Sequence, residues 1–318
     1  MVGESYPLNL MELEAKFATE EACRVYLAEL RWPAGFRCPG CGSEKAWPVR
    51  NLWECGKCGR QTSGIAGTIF QDTHIPLPVW FRAMWWVTTQ KNGASTLGLQ
   101  RVLGLKEYRT AWMMLHKLRR AMVRPGRDLL TGRVEVDECY VGGLEEGLPG
   151  RLNLEKALVV VAAQEDGPGI GRIRMRQIGN AAAESLMPFV QDSVAPGSVI
   201  HTDGWLGYWP LERHGYQHEV TFLKGKMKTA SELMPRVHCV ISLLKRWLIG
   251  THQGAISHKH LDYYLDEFSF RFNRRRSKSQ GKLFFRLAQQ AVSVDPVTYY
   301  GILHSNPKKP KPQLVGAT

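Results

Sequence analysis

The sequence lacks an uninterrupted apolar run of the roughly eighteen residues that a membrane-spanning helix needs. Its first ten residues also lack the basic-then-apolar layout of a secretory signal peptide. We therefore expect a cytoplasmic protein. No internal repeat is visible, which excludes a solenoid or a propeller. The seven cysteines are an odd number and four of them form two close pairs, a pattern that disfavours a disulfide framework.

Acidic residues are scarce relative to basic ones. The chain has 42 Lys and Arg against 29 Asp and Glu, which leaves a net charge of +13. An excess of this size favours a polyanionic partner, and nucleic acid is the first candidate. The hydrophobic fraction of 44% is that of a folded globular protein, so we expect disorder only at the ends of the chain.

The two cysteine pairs have the spacing of a zinc ribbon. Cys38-Pro-Gly-Cys41 and Cys55-Gly-Lys-Cys58 flank the segment 42–54. This arrangement lets two tight turns present four thiolates tetrahedrally, so we predict one structural zinc ion held by all four cysteines. Such an ion stabilises a small module by about 10 kcal/mol or more. The alternative, a redox or disulfide pair, is disfavoured in an intracellular protein.

Helical periodicity predicts a helix-turn-helix between the ribbon and the rest of the chain. Three amphipathic helices follow Pro78, and Gly104 makes the turn into the third of them, which begins near Lys106. The third helix has an inward apolar stripe, which is typical of a recognition helix set against DNA. A merely solvated basic face is the alternative. The basic residues predicted to face DNA are Lys106, Arg109, Lys117, Arg119 and Arg120.

An alternating pattern over residues 134–141 predicts a strand that places Asp137 and Glu135 on one side. Strand-like runs, a helix and an apolar strand that ends at Asp203 follow, and a further helix completes the set. The order strand, strand, strand, helix, strand, helix is typical of an α/β fold with an RNase H-like mixed sheet and flanking helices. Since its first and fourth strands are neighbours, Asp137 and Asp203 should converge on one site.

Paired aspartates of this kind suit phosphodiester chemistry. Two magnesium or manganese ions held by oxygen ligands clamp the attacking and leaving oxygens in such reactions. We expect the third ligand on a helix that starts near Pro235, where His238 lies next to the apolar stripe. Lys245 follows seven residues later, nearly two turns on, and there it can hold a substrate phosphate.

Other residues leave alternatives open. His238 could be a helix-surface histidine, with Glu232 or Glu138 completing the site instead. The alternating lysines that follow the strand-like run 219–223 are predicted to track a DNA backbone, although a solvated loop would look the same. These lysines are Lys224, Lys226 and Lys228.

Taken together, these motifs resemble the insertion-sequence transposases of the ISXO type, which have an N-terminal zinc ribbon and a DDE-type catalytic domain. Besides the cysteine pairs, the segments that carry the resemblance are 61–63, 67–70, 136–143, 201–204, 243–252, 261–268 and 272–275. The resemblance implies cleavage at element ends, transfer of the freed 3′ hydroxyl to target DNA, and multimers that bring two ends together. One departure is His238, which stands where the DDE pattern has Glu; members of this group vary at that position.

We therefore predict a DNA transposase whose partners are the terminal inverted repeats, target DNA and further copies of itself. The metal ligands would be Asp137, Asp203 and His238, with Lys245 orienting DNA. The competing hypotheses are a transposase-derived regulator without catalysis and a nuclease that cuts without joining. The predicted segments are 1–64 with a helix and the ribbon, 65–125 with the helix-turn-helix, 132–294 with the catalytic domain, and 295–318 as a basic, flexible tail.

Overall fold

The computed structural model describes residues 4–124, 126–142, 156–222, 229–254 and 256–304. Within these ranges no helix has the length and apolar character to cross a membrane. The helices are α1 (Leu10–Lys16), α2 (Glu20–Arg31), α3 (Leu77–Thr89), α4 (Thr96–Leu103), α5 (Tyr108–Ala121), α6 (Ala183–Ser193), α7 (Ala230–Leu233), α8 (Pro235–His252), α9 (Leu261–Asn273), α10 (Gln280–Ala291) and α11 (Tyr299–His304). The strands are β1 (Ala46–Val49), β2 (Leu52–Cys55), β3 (Gln61–Ser63), β4 (Arg133–Val141), β5 (Ala157–Asp166), β6 (Gly169–Ile178), β7 (Val199–Thr202) and β8 (Gln217–Val220).

The chain divides into two compact units. The first consists of Met1–Gly126 with Arg276–Thr318, and the second of Arg127–Arg275. The first unit contains the antiparallel sheet β1-β2-β3 and a helical part. Two of its helices begin at a side-chain cap: the hydroxyl of Thr19 accepts the N–H of Ala22 at α2, and that of Ser95 accepts the N–H of Gly98 at α4.

Helix α10 packs within the first unit. Its Phe284 ring lies 5.7 Å from the ring of Phe81 on α3 and 5.9 Å from that of Phe17. The sequence pattern predicts a catalytic domain over 132–294 that includes this helix, whereas in the structure the helix belongs to the first unit. A buried aromatic face shows that a helix packs against something, but not which distant segment it meets.

The last described helix corrects the predicted tail. Residues 295–318 were expected to be flexible throughout, yet Tyr299–His304 forms α11, and Ile302 on it is fully buried. The expectation is therefore wrong for this helix, because an apolar side chain anchors it. The Lys/Pro-rich stretch 306–312 lies outside the described residues.

The second unit has a five-stranded sheet in the order β6-β5-β4-β7-β8. β4 pairs antiparallel with β5 and parallel with β7, while the edge strands β6 and β8 pair antiparallel and parallel respectively. This is the RNase H-like mixed sheet that the sequence predicted, with the first and fourth strands as neighbours. The fold-class prediction is confirmed.

Helices cover both faces of this sheet. On one face, α6 and a 3₁₀ helix at Leu206–His214 bury Phe189 and Tyr208 against β4 and β5. On the other face, α8 and α9 bury apolar residues that include Val237, Val240 and Phe268. The interior strand β5 is apolar on both sides, as expected of a strand covered on both faces. The second face carries Asp137, because side chains alternate along β4 and Cys139 belongs to the core beneath α8.

Candidate active site and nucleic-acid interface

Four cysteine sulfurs converge in the first unit. The Sγ atoms of Cys38, Cys41, Cys55 and Cys58 all lie within 4.8 Å of one another. Two of these separations, Cys38 to Cys58 and Cys41 to Cys55, are 3.6 Å. A tetrahedral zinc ion with bonds of about 2.3 Å needs sulfurs about 3.8 Å apart, so the cluster has the size that zinc requires.

Backbone N–H groups contact two of these sulfurs. The N–H of Gly40 donates to the Sγ of Cys38, and the N–H of Lys57 donates to the Sγ of Cys55, each over 3.4 Å. The N–H groups of Cys58 and Lys57 lower the pKa of the Cys55 thiol to about 6. Since the thiolate is the form that binds metal, the donor set and its surroundings fit a structural zinc ion.

The two predicted catalytic aspartates belong to neighbouring parallel strands. Glu135 on β4 pairs with His201 on β7, and Asp137 and Asp203 each lie two residues further along. The paired residues end at Glu135 and His201, and the same register continued would put the two aspartates next to each other on the face covered by α8. Neighbouring strands lie about 4.8 Å apart, a separation from which two carboxylates can share a metal centre.

Asp203 is held by a sharp turn at the end of β7. Its Oδ1 accepts the N–H of Trp205 over 3.0 Å, which fixes the carboxylate against its own backbone. Between them Gly204 adopts a left-handed φ of +81°, and a Cβ at this position would lie 2.6 Å from Val220 Cγ1. The turn therefore needs glycine for two reasons, backbone conformation and space.

His238 on α8 reaches the site from above the sheet. Its Nε2 lies 3.6 Å from Oδ2 of Asp137. This nitrogen is buried and has no hydrogen-bond partner among the described residues. Because buried polar atoms normally have a partner, an Nε2 atom in this position beside a carboxylate fits a metal ligand.

Charges around His238 connect it to the other predicted residues. Partial burial lowers the pKa of His238, Lys245 acts in the same direction, and Glu135 and Asp203 oppose it. The lowered pKa favours the neutral imidazole, which is the metal-binding form. Lys245 is exposed, and its charge also acts on the thiol of Cys139, whose pKa burial raises to about 12. The structure thus brings Asp137, Asp203, His238 and Lys245 into one neighbourhood; their roles stay a prediction.

The two alternative third ligands point elsewhere. Glu138 alternates to the opposite face of β4, where its Oε2 accepts the hydroxyl of buried Tyr208 over 2.9 Å. Glu232 lies on the short helix α7 and accepts the N–H and hydroxyl of Thr229. Both carboxylates already accept hydrogen bonds from other residues, so His238 is the better candidate for the third ligand.

Sequence reasoning missed the role of Glu135. Its side chain is 2% exposed and accepts hydrogen bonds from the start of α8. A signal was available: Glu135 stands between two apolar valines of the predicted strand, and an acidic side chain buried there needs a partner because buried charges are rarely unpaired.

The predicted recognition helix is only partly available to DNA. Lys117 and Arg119 on α5 are 6% and 1% exposed, so the expectation that they face outward is wrong. The second half of α5 is buried almost all round, because the helix lies inside the helical part and not on its surface. Arg120 is half-buried.

The first turn of α5 and the preceding loop are accessible instead. Lys106 and Arg109 are exposed. The guanidinium of Arg109 stacks on the ring of Tyr299 from α11, with its carbon 3.8 Å from the ring centroid. A recognition helix contacts bases with its N-terminal residues, so these two residues occupy the useful end. Lys224, Lys226 and Lys228 fall in 223–228, outside the described residues.

Two segments of the chain match models of transposase domains. Residues 129–273 match the ISXO2-like transposase domain, and residues 18–61 match the transposase zinc-ribbon domain. The chain is 27% identical over 277 residues to an uncharacterized protein in the transposable element ISH50 of Halobacterium salinarum, covering 80% of this chain and 91% of that protein. The resemblance inferred from the motifs is confirmed.

Among solved structures, the Mos1 strand transfer complex is similar over 67% of this chain and 74% of that chain. The sequence identity is 13% and the TM-score is 0.26.

Proposed function

Because the chain joins a transposase zinc ribbon to an ISXO2-like transposase domain, we propose that it is a DNA transposase that cleaves insertion-sequence ends and transfers their 3′ ends into target DNA. The observation that carries this proposal is the convergence of Asp137, Asp203 and His238 over the centre of an RNase H-like sheet. The chain would act as a homodimer or higher multimer, since strand transfer joins two element ends.

Asp137, Asp203 and His238 would hold two magnesium or manganese ions, which when bound activate the attacking oxygen and stabilise the leaving one. The two carboxylates supply hard oxygen ligands. The buried Nε2 of His238, directed at Asp137, supplies a nitrogen that manganese accepts more readily than magnesium does. The residues present therefore fit the ions.

The protein's own side chains would position DNA around this centre. The ammonium of Lys245, exposed on the same face of α8 as His238, can hold a backbone phosphate of the substrate. In the first unit, Lys106 and Arg109 at the start of α5 would contact the element end, with the zinc ribbon upstream as a second DNA-binding module. The net charge of +13 supports a polyanionic partner.

A strand-transfer assay with oligonucleotides tests the proposal. Wild-type protein, a labelled duplex that ends in the terminal repeat, and a target duplex are incubated with Mg²⁺ or Mn²⁺. Wild type should give joined products longer than the substrate, and Asp137→Ala should give none. Joining by wild type no better than by Asp137→Ala would contradict the proposal, and cleaved products without joined ones would indicate a nuclease.

A non-catalytic DNA-binding regulator is the second candidate, and the histidine at the third ligand position is the observation that favours it. The same assay separates the two functions when binding is measured alongside. A regulator would retard the terminal repeat in a gel and yield no product with either metal.

A further inference from the structure

The carboxylate of Glu135, next to the candidate active site, accepts hydrogen bonds from the N-terminal end of helix α8. Oε2 of Glu135 accepts the backbone N–H groups of Arg236 and Val237, both over 2.8 Å. Its Oε1 accepts Nη1 of Arg236 over 3.1 Å. Helix α8 has no side-chain cap of its own at Met234, so Glu135 supplies from a neighbouring strand the acceptor that the first turn lacks.

We infer that Glu135 is a positioning residue for the metal site: it fixes the first turn of α8 on β4 and thereby sets His238 against Asp137. Val237, whose N–H it binds, immediately precedes His238, and Glu135 lies one strand repeat, about 7 Å, from Asp137. Strand β4 therefore carries the proposed ligand Asp137, and through Glu135 it also holds helix α8, which carries the proposed ligand His238. The inference rests on the proposed function.

The geometry argues against a direct ligand role for Glu135. Both of its oxygens are directed at donors of α8, and the side chain is 2% exposed. The effect of Glu135 on a metal must therefore pass through the position of α8. Second-layer contacts of this kind orient ligands and commonly change metal affinity by about 10–100-fold.

Glu165, the second carboxylate that contacts Arg236, provides a matched control. Its Nη2 donates to Oε1 of Glu165 on β5 over 2.7 Å, and the guanidinium also donates to the carbonyl groups of Gly167 and Gly169. No hydrogen bond is seen between Glu165 and the backbone N–H groups of α8 in the described part of the chain. Glu165→Gln thus changes a charged partner of the same arginine and leaves the cap in place.

The experiment compares Mn²⁺ binding by the zinc-loaded full-length wild type, Glu135→Gln and Glu165→Gln, using the EPR signal of free Mn²⁺. Glutamine has one acceptor oxygen, and its NH₂ group would face one of the donors that Glu135 satisfies. We expect the Kd for Mn²⁺ at the site to rise about 10-fold or more in Glu135→Gln, and less than about 3-fold in Glu165→Gln. In the joining assay, saturating Mn²⁺ should restore most of the rate to Glu135→Gln.

Equal Kd values for the two variants would overturn the inference, even if wild type joins DNA ends. Failure of wild type to join ends, with the Kd difference intact, would overturn the proposed function alone. If Glu135→Gln does not fold, Glu135→Asp replaces it, since the shorter side chain keeps the charge but withdraws the carboxylate from the two backbone N–H groups of α8. Its Kd should lie a few-fold above that of Glu165→Gln, and a Kd equal to that of Glu165→Gln would contradict the positioning role.

Discussion

Replacing Gly204 by alanine should damage both the fold of the second unit and its candidate active site. The backbone at Gly204 has a φ of +81°, and the added Cβ would lie 2.6 Å from Val220 Cγ1 and 2.9 Å from Phe222 Cε1. A left-handed backbone costs a residue with a Cβ about 1–2 kcal/mol. Overpacking against a strand residue such as Val220 adds about 1–3 kcal/mol, so the expected total is about 3 kcal/mol.

Gly215 is the matched control for this substitution. It has nearly the same φ, +82°, and nothing within 4 Å of an added Cβ. Gly215→Ala should therefore show the backbone cost alone, about 1 kcal/mol. At about 3 °C per kcal/mol for a unit of this size, the melting temperature should fall by about 3 °C in Gly215→Ala and by about 10 °C in Gly204→Ala.

The joining assay measures the consequence for the site. Gly204 follows Asp203 directly, so relief of the clash must move the neighbouring carboxylate. A displacement of about 1 Å in a positioned group costs on the order of 100-fold in rate. Gly204→Ala should lose at least about ten times more activity than Gly215→Ala at a temperature where both are folded. Equal losses of stability and activity in the two variants would show that a Cβ at position 204 neither clashes with Val220 nor displaces Asp203.

Three further predictions concern the zinc ribbon, the third metal ligand and the start of α5, and each compares two substitutions. Cys55→Ser should release the zinc ion to a chromogenic chelator and abolish sequence-specific binding of the terminal repeat. Cys239→Ser, which changes an exposed thiol outside the cluster, should keep one zinc per chain. Specific binding by Cys55→Ser at wild-type affinity would contradict the ribbon assignment. His238→Ala should lower the rate of joining with Mn²⁺ by more than about 100-fold. His238→Glu should restore this rate and raise the rate with Mg²⁺, because carboxylate is the harder ligand. Joining by His238→Ala at the wild-type rate would show that His238 is not part of the site. If the guanidinium of Arg109 neutralises one phosphate, Arg109→Ala should make the slope of log affinity against log salt less negative by about 0.9. Lys117→Met should leave this slope unchanged because the Lys117 side chain is buried. The reverse pattern would show that the exposed end of α5 does not contact DNA.

Local patterns were sufficient to predict the ribbon and the sheet. Cysteine spacing set the four ligands, and the alternating pattern around Asp137 with the apolar strand before Asp203 gave the strand order. Helical periodicity also placed His238 beside the buried stripe of α8. In each of these cases the information lies within a few residues of the element concerned.

What the sequence did not predict depends on contacts between distant segments. Lys117 and Arg119 looked exposed because an apolar stripe says where a helix packs, but not how many neighbours surround it. Tyr299 meets Arg109 although the two residues lie far apart in the chain. The cap that Glu135 provides for α8 joins positions about one hundred residues apart, as the hydrogen bond to Arg236 records. Such pairings arise only when the whole fold is assembled.

We propose that Asp137, Asp203 and His238 form one metal centre, and anomalous diffraction from Mn²⁺-soaked crystals of the complex with element-end DNA tests this most directly. We expect two manganese peaks about 3.5–4 Å apart, between the two carboxylates and Nε2 of His238. Absence of manganese there at saturating concentration, or a peak ligated by Glu138 or Glu232 with His238 turned away, would contradict it.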